Sequence, residues 1–466
     1  MNNRYIKLIK NFSVLGVSNA VISFAQFLLI PLYTNVLTTA EYGIYDLSNA
    51  LVLILYQVFT LSLASVIFLM FNDGSNHNHK IIVSSTFLHL LLSCFLFFIV
   101  LFFDYSFPFI NSIRDYNLAI FIYYVSYMFF KFSYELANSE KQTSTIAIST
   151  IICGLSTVIL NILFLLVFGY KLNGYFMTFS IGQLLAGTFI FCKLRAWKYL
   201  TFKYDSKIIK EMLKYSVPGM IGELAWWIIN FSDRYIVSGY CGINANGLLG
   251  ISYKLPSIIT ILQTVFNQAW LYSVFENKNN KDYYKKIFVL YNVALCLLCS
   301  FLILINKEIA ILYAKDFYEA WMYVPFLLIS NIMTGLSVFL WPIFSLEKKL
   351  GIYTISTVVG GGINIFLDIL LTSKIGIQGA TIATLFSTVV VFFIRYLTSG
   401  KVIKYKKQYL VYLTWIVLVV QATINIYFHC FLFDLISLFL IIFINFNVIS
   451  RVIKKLVIFL KKDKLL

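Results

Sequence analysis

The sequence predicts an all-α polytopic membrane protein with about fourteen transmembrane helices, arranged as two six-helix halves and a C-terminal hairpin. Three observations predict this fold class: an apolar composition, charge-poor runs long enough to cross a bilayer, and an internal repeat at a constant offset. Of the 466 residues, 60% are hydrophobic and 12% are charged, about half the charged fraction of a soluble domain. Little polar sequence remains for a soluble catalytic domain, so the chain is predicted not to be an enzyme.

The predicted spans are stretches of about 20 residues in which charge nearly vanishes, the helix length needed to cross the hydrocarbon core. They are residues 11–33, 44–71, 81–103, 117–138, 143–168, 173–193, 212–240, 247–273, 286–306, 320–343, 352–372, 377–397, 409–427 and 433–450. The loops between them are short, and the longest joins the sixth and seventh spans. Membrane polymerases that act on lipid-linked sugars usually need a sizeable external loop for catalysis, so short loops disfavour that class.

The cations lie on alternate sides of these spans. With the N-terminus inside, about 30 Lys and Arg residues are cytoplasmic and about 6 are external, which is the expected bias. The topology therefore places both termini in the cytoplasm. Because the positive charge flanks membrane spans, the net charge of +17 does not indicate nucleic-acid binding.

An internal repeat is visible at an offset of about 203 or 204 residues. The recurring segments are 13–16 with 216–219, 43–48 with 247–252, and 161–164 with 364–367. Each copy contains six spans, an even number, so the two copies have the same orientation in the membrane and are predicted to enclose a cavity. The predicted domains are residues 1–205, residues 206–400, and residues 401–466 with the final hairpin and a basic cytoplasmic tail.

Four segments, taken in order, resemble one family. They are Thr38-Thr-Ala-Glu-Tyr-Gly-Ile-Tyr45, Ser232-Asp-Arg-Tyr-Ile-Val237, Asp316-Phe-Tyr-Glu-Ala-Trp321 and Ile375-Gly-Ile-Gln-Gly-Ala-Thr-Ile-Ala-Thr384. This pattern, over about residues 10–400, is similar to the bacterial polysaccharide-repeat (O-antigen) flippases of the multidrug/oligosaccharidyl-lipid/polysaccharide exporter superfamily.

The resemblance implies two six-helix lobes in a V-shaped, MATE-like fold that works by alternating access. It implies an undecaprenyl-pyrophosphate-linked oligosaccharide, an O-antigen or capsular repeat unit, as substrate in the bacterial cytoplasmic (inner) membrane. The expected partners are this lipid-linked oligosaccharide and membrane lipids, with a polysaccharide polymerase and a chain-length regulator as further candidates. No cofactor is expected, and the cysteine and histidine spacing predicts no metal site.

Ionisable residues inside spans mark the candidate site, because each costs about 2.5–3.5 kcal/mol to insert at the bilayer centre and must face protein or water. A pyrophosphate substrate favours a cationic cavity wall. The predicted substrate-binding residues are Arg234, Lys254, Lys131 and Glu223. The residues predicted to serve in coupling or in structural ion pairs are Asp233, Glu135 and Asp368.

Structural interpretations compete for most of these charges. Asp233 and Lys254 fall at similar predicted depths and are candidates for a structural ion pair. Lys131 and Glu135 have the i, i+4 spacing that lets two side chains on one helix pair with each other. Asp46 and Asp368 lie near span ends, where interfacial water is expected to solvate them.

Three other functions remain open alongside the flippase interpretation. A cation-coupled multidrug exporter of the same fold typically carries an acidic residue in its first helix, whereas residues 11–33 contain none. A membrane polysaccharide polymerase is disfavoured by the short loops and by the repeat. A purely structural scaffold gives no reason for charges buried in both halves.

Overall fold

The computed structural model describes residues 27–72, 78–103, 113–201, 203–277, 280–347, 349–400, 408–451 and 454. Every regular element within those ranges is helical, which confirms the all-α class. Ten of the described helical stretches are long and apolar enough to cross a membrane. Most of the first predicted span and most of the basic tail lie outside the described residues, so the number fourteen stays a prediction.

The described residues divide into two compact units. The first contains the described residues up to Gly250 together with Ile365–Ile377. Its helices, in chain order, are α1 (Ile30–Val36), α2 (Thr39–Thr60), α3 (Leu63–Asn72), α4 (His79–Phe103), α5 (Asn117–Ser139), α6 (Thr143–Asn161), α7 (Lys171–Lys193), α8 (Ser206–Cys241) and α9 (Ile243–Ser252), whose last two residues belong to the second unit.

The second unit contains Ile251–Asn364 and the described residues from Gln378 onward. Its helices are α10 (Lys254–Glu276), α11 (Lys281–Ala310), α12 (Val324–Phe339), α13 (Trp341–Leu346), α14 (Leu350–Ile375), α15 (Ile377–Thr398), α16 (Gln408–Phe428) and α17 (Phe431–Ile444). Helix α14 begins in this unit, and its last part, from Ile365, belongs to the first. The predicted domain limits at residues 205 and 400 stay predictions.

The second predicted span is not one continuous helix. A capping box between Thr38 and Glu41 starts α2, and the helix ends at Thr60 because Leu61 and Ser62 both adopt left-handed backbone angles, with φ of 49° and 51°. Left-handed geometry costs a residue with a side chain roughly 1–2 kcal/mol. Since neither residue is Gly or Pro, the sequence carried no signal for this break within an apolar run.

Helices α2 and α9 cross at a pair of glycines that the repeat aligns with each other. A Cβ atom on Gly43 would collide with the backbone oxygen of Ile243, and one on Gly247 would collide with the backbone oxygen of Thr39. The repeat pairs 39 with 243 and 43 with 247, so exchanging the two copies converts one contact into the other. This is the reciprocity expected of a local two-fold axis, and it supports the repeat that the sequence predicts.

The C-terminal hairpin is joined to α11 by buried polar bonds. Ser300 donates to the side-chain oxygen of Gln421 at 2.7 Å, and the indole of Trp415 donates to Asn292 at 2.8 Å. Polar hydrogen bonds between membrane helices hold them in register. The hairpin outside the repeat is therefore an integral part of the second unit.

Arg395 lies near the end of the twelfth predicted span, next to a run of lysines, and its side chain is buried. Its guanidinium donates to the hydroxyls of Ser356 at 2.8 Å and Thr357 at 2.7 Å, and it lies over the ring of Tyr353 at 3.5 Å. These bonds tie α15 to the first half of α14, so this cation has a packing role in addition to any contribution to topology.

Candidate functional site

The first charged cluster is centred on Arg234 in α8. Its Nε donates to Oδ2 of Asp46 in α2 at 3.1 Å, and its Nη1 donates to Oδ1 of the adjacent Asp233 at 2.6 Å. The same Nη1 also donates to the backbone oxygen of Asn230, one turn earlier. Only 4% of Arg234 is exposed, so this side chain is a buried link between α8 and α2.

Asp368 lies on the last part of α14, which belongs to the same unit, and it is completely buried. It interacts electrostatically with Asp233 and Arg234. Among the described residues, neither of its carboxyl oxygens has a hydrogen-bond partner. A buried carboxylate that accepts no hydrogen bond is unfavourable in its charged form, so Asp368 stands apart from the bonded Asp46 and Asp233.

The expectation that interfacial water solvates Asp46 and Asp368 is wrong. Asp46 is 9% exposed and is paired with Arg234, and Asp368 is 0% exposed. The burial of Asp46 follows from close helix packing, because a Cβ atom on Gly250 would lie 3.0 Å from its carboxyl carbon. Position near a predicted span end therefore did not reveal that neighbouring helices cover these groups.

The second charged cluster lies at the break between α2 and α3. Oε2 of Glu223 in α8 accepts a hydrogen bond from the hydroxyl of Ser62 at 3.0 Å. That hydroxyl is also 2.7 Å from the side-chain oxygen of Gln57. Glu223 nevertheless remains exposed. Because a carboxylate is not stable against lipid, its exposed face must meet water or a polar ligand.

Lys131 and Glu135, both in α5, complete this second cluster. Glu135 interacts electrostatically with Lys131 and with Glu223. The predicted direct pair between Lys131 and Glu135 does not form; the Lys131 ammonium lies instead 5.9 Å and 6.0 Å from the ring centres of Tyr127 and Tyr134. Aromatic faces stabilise a cation without neutralising it, so Lys131 keeps its charge available.

The two clusters are stacked along one helix. Glu223 and Arg234 are eleven residues apart on α8, about 16 Å along its axis, and both reach toward α2 or its end. Their surroundings differ, because Arg234 is enclosed by its partners and Glu223 is exposed. Lys254 begins α10 in the second unit, and its predicted pairing with Asp233 stays a prediction.

The sequence alone does not assign Asp46 to Arg234 or Ser62 to Glu223. The partners are 188 and 161 residues apart, and no local spacing encodes such contacts. The only indication in the sequence was that charged residues are rare within the predicted spans. A buried cation in such a chain needs a carboxylate nearby. Within the described residues, no group of three His, Cys, Asp or Glu residues is placed to bind a metal ion.

The family model described as "Polysaccharide biosynthesis protein" matches residues 8–276, more than half of the chain. The chain belongs to this family. The matched region of this polysaccharide biosynthesis family member includes Glu223 with Ser62, and Arg234 with Asp46 and Asp233. No curated protein matches the sequence.

Solved structures of transporters share the fold of this polysaccharide biosynthesis family member. The lipid II flippase MurJ in an inward closed conformation is 16% identical, with a TM-score of 0.71 over 96% of this chain and 99% of that chain. An inward-facing multidrug resistance MATE transporter is 13% identical, with a TM-score of 0.58 over 84% of this chain and 92% of that chain. A MOP superfamily transporter from Pyrococcus furiosus is 12% identical, with a TM-score of 0.55 over 84% of this chain and 94% of that chain. These likenesses show a MATE-like and MurJ-like fold.

Proposed function

We propose that this protein is a flippase that moves an undecaprenyl-pyrophosphate-linked oligosaccharide, such as an O-antigen or capsular repeat unit, across the bacterial cytoplasmic membrane. Family membership supports a role in polysaccharide biosynthesis. The fold shared with a lipid II flippase supports transport of a lipid-linked sugar. Both termini would be cytoplasmic, and a polysaccharide polymerase and a chain-length regulator would act on the exported product.

The observation that carries the proposal is the exposed carboxylate of Glu223 on a helix whose predicted span is 212–240. The predicted topology puts Glu223 near the middle of that span. A charge at this depth requires a wet cavity, which a flippase needs for a sugar headgroup and a structural scaffold does not. The break at Leu61 and Ser62 brings the Ser62 hydroxyl within 3.0 Å of this carboxylate.

The cations differ in how they could serve a pyrophosphate. Arg234 is already bonded to Asp46 and Asp233, so an incoming phosphate would have to displace a carboxylate. Lys131 is half-buried over tyrosine rings and forms no direct ion pair with Glu135. We therefore assign Lys131 to the headgroup and Arg234 to the integrity of the site, with Glu223 and Glu135 facing polar substrate groups. The substrate-binding role of Lys254 stays a prediction.

Glu223→Gln is expected to reduce surface polysaccharide at least tenfold in a strain whose own flippase is deleted. The amide keeps the shape of the side chain and can still accept the Ser62 hydrogen bond, so protein abundance should not change. The loss would come from removing the charge at the cavity wall. The matched control is Glu276→Gln at the exposed end of α10, which should export like the wild type. Normal export by Glu223→Gln would contradict the assignment.

Asp368→Asn tests whether the unpartnered carboxyl couples transport to an ion gradient. We propose that this group is neutralised by a proton or another cation during the cycle, because a bare carboxylate is unstable there. In proteoliposomes, an imposed proton or sodium gradient should accelerate transport by the wild type and should not change the transport rate of the variant. The variant should fold normally, because an uncharged amide is easier to bury. A variant that still responds to both gradients would remove Asp368 from the coupling role.

Export of cationic drugs is the second candidate, favoured by the MATE structures among the fold relatives. The first predicted span lacks the carboxylate typical of such exporters. Resistance assays with the same deletion strain distinguish the two functions, because a flippase restores polysaccharide without changing drug tolerance.

A further inference from the structure

A buried polar cluster joins three helices at the C-terminal hairpin of the second unit. Its members are Asn306 in α11, Asn425 in α16 and Asp434 in α17. The side-chain amide of Asn425 donates to Oδ2 of Asp434 at 2.6 Å, and that of Asn306 donates to the side-chain oxygen of Asn425 at 3.3 Å. The three residues are only 2–5% exposed, so their polar groups form one enclosed cluster.

The amide hydrogens of this cluster are all in use. An amide group has two of them. The second N–H of Asn425 donates to the backbone oxygen of Ile303 at 3.3 Å, and the second N–H of Asn306 donates to the backbone oxygen of Trp321 at 3.2 Å. Oδ1 of Asn306 and Oδ1 of Asp434 are buried and have no hydrogen-bond partner among the described residues. The cluster therefore has surplus acceptors and no donor of its own to satisfy them.

The carboxylate of Asp434 also lacks an oppositely charged partner. It forms no salt bridge within the described part of the chain, and the charged residue that acts on it is Glu308, another carboxylate. The ammonium of Lys307 lies instead over the ring of Trp321, at 5.3 Å. A buried charge is strongly unfavourable unless an opposite charge compensates it. A water molecule would complete the hydrogen bonds without compensating this charge.

Two helix ends at the cluster favour a cation. Asn306 lies near the C-terminal end of α11 at Ala310, and Asn425 lies near the C-terminal end of α16 at Phe428. The carbonyl end of a helix carries a partial negative charge that attracts cations. Asp434 lies in the first turn of α17, where the opposite end of a helix favours its negative charge but does not neutralise it.

The chemistry of the cluster selects its ligand. Carboxylate and carbonyl oxygens are the groups that bind hard metal cations, and a single carboxylate balances a single positive charge. Enclosure suits an ion that has lost its water and excludes a ligand as large as a sugar. We propose that Asp434, Asn306 and Asn425 bind an alkali metal cation. The ion links α17 to α11 and α16 and so holds the C-terminal hairpin within the second unit.

The predicted topology gives this ion a route of entry. The spans 286–306 and 409–427 end at the external side of the membrane in that topology, and the span 433–450 begins there. The turn between the last two spans is exposed at residues 427–432. An ion can therefore reach the cluster from the external side when this turn opens. The site depends neither on the substrate proposed above nor on Asp368, which belongs to the first unit.

The test measures the melting temperature of the full-length protein in detergent. Asp368→Asn is the parent, so that an ion at Asp368 does not contribute. Replacing N-methyl-D-glucamine chloride by sodium or potassium chloride at equal ionic strength should raise the melting temperature of the parent by about 2–4 °C, and the rise should saturate. Adding Asp434→Asn should abolish the rise, because the amide removes the charge and supplies the missing N–H.

Two further variants separate the possible outcomes. Asn306→Leu removes one proposed ligand and keeps the carboxylate, so half-maximal stabilisation should need roughly tenfold more of the ion, even if the Asp434 variant misfolds. Asp282→Asn, at the exposed start of α11, is the matched control and should keep the full response.

Three results would overturn the cation site. The parent might respond to neither ion, which is the first. The second is a response that Asp434→Asn and Asn306→Leu both retain unchanged, because the ion would then bind elsewhere. The third is a response to pH alone that Asp434→Asn abolishes, because a proton rather than a metal ion would then compensate the charge.

Discussion

Arg234→Met is expected to destabilise the protein by about 3–5 kcal/mol, the cost of removing one partner from a buried ion pair. The guanidinium bonds Asp46 and Asp233 inside the first unit and is 4% exposed. Without it, both carboxylates lose a charged donor in an environment that water hardly reaches. Protein abundance and the melting temperature in detergent should fall together, along with polysaccharide export.

A compensating variant distinguishes this structural role from direct substrate binding. Asp46→Asn combined with Arg234→Met removes one carboxylate as well as the cation, and it should recover a substantial part of the lost melting temperature. Arg234→Met with wild-type stability but no export would show instead that Arg234 acts mainly on the substrate. The Asp46→Asn single variant completes the double-mutant cycle, from which the interaction energy between the two positions is obtained.

Gly247→Ala is the second change with a large expected effect. The new methyl group would meet the backbone oxygen of Thr39, which no side-chain rotation can move. Helices α2 and α9 would have to separate, at a cost of about 1–3 kcal/mol for an overpacked interface. The measurement is the melting temperature of the purified protein, which should drop by several degrees.

Gly362→Ala is the matched control for that substitution. Gly362 also lies inside a helix, but apart from its own turns of backbone nothing lies within 4 Å of the Cβ position. Alanine favours a helix by about 1 kcal/mol over glycine, so this variant should be as stable as the wild type or slightly more stable. Equal melting temperatures for both variants would show that the crossing at Gly247 tolerates separation.

Much of the fold follows from the sequence because a membrane imposes strict rules. Apolar runs and cation placement predicted most helices, since lipid tolerates only helical backbone with internal hydrogen bonds in a chain of this kind. The repeat also aligned Gly43 with Gly247, which meet in the structure. The break at Leu61 and Ser62 escaped prediction, because tertiary contacts rather than local residue preference maintain it.

The candidate site was less predictable than the fold. Scarcity of charge within spans drew attention to Arg234, Glu223 and Asp368, which lie in polar clusters or are buried; their roles stay predictions. Sequence spacing could not tell that Asp46 bonds Arg234, or that Lys131 lies over tyrosines instead of pairing with Glu135. Contacts between distant helices depend on rotation about each helix axis, and a single sequence contains little information about that rotation.

The meeting of Gly43 and Gly247 also limits how this chain can diverge. A bulkier residue at one position cannot be offset by trimming the other, because its partner has no side chain left to lose. A suppressor of either change must therefore shift a helix rather than shrink a neighbour. Compensating pairs of substitutions change the packing of most protein interiors, but they cannot accommodate a larger residue where these two helices cross.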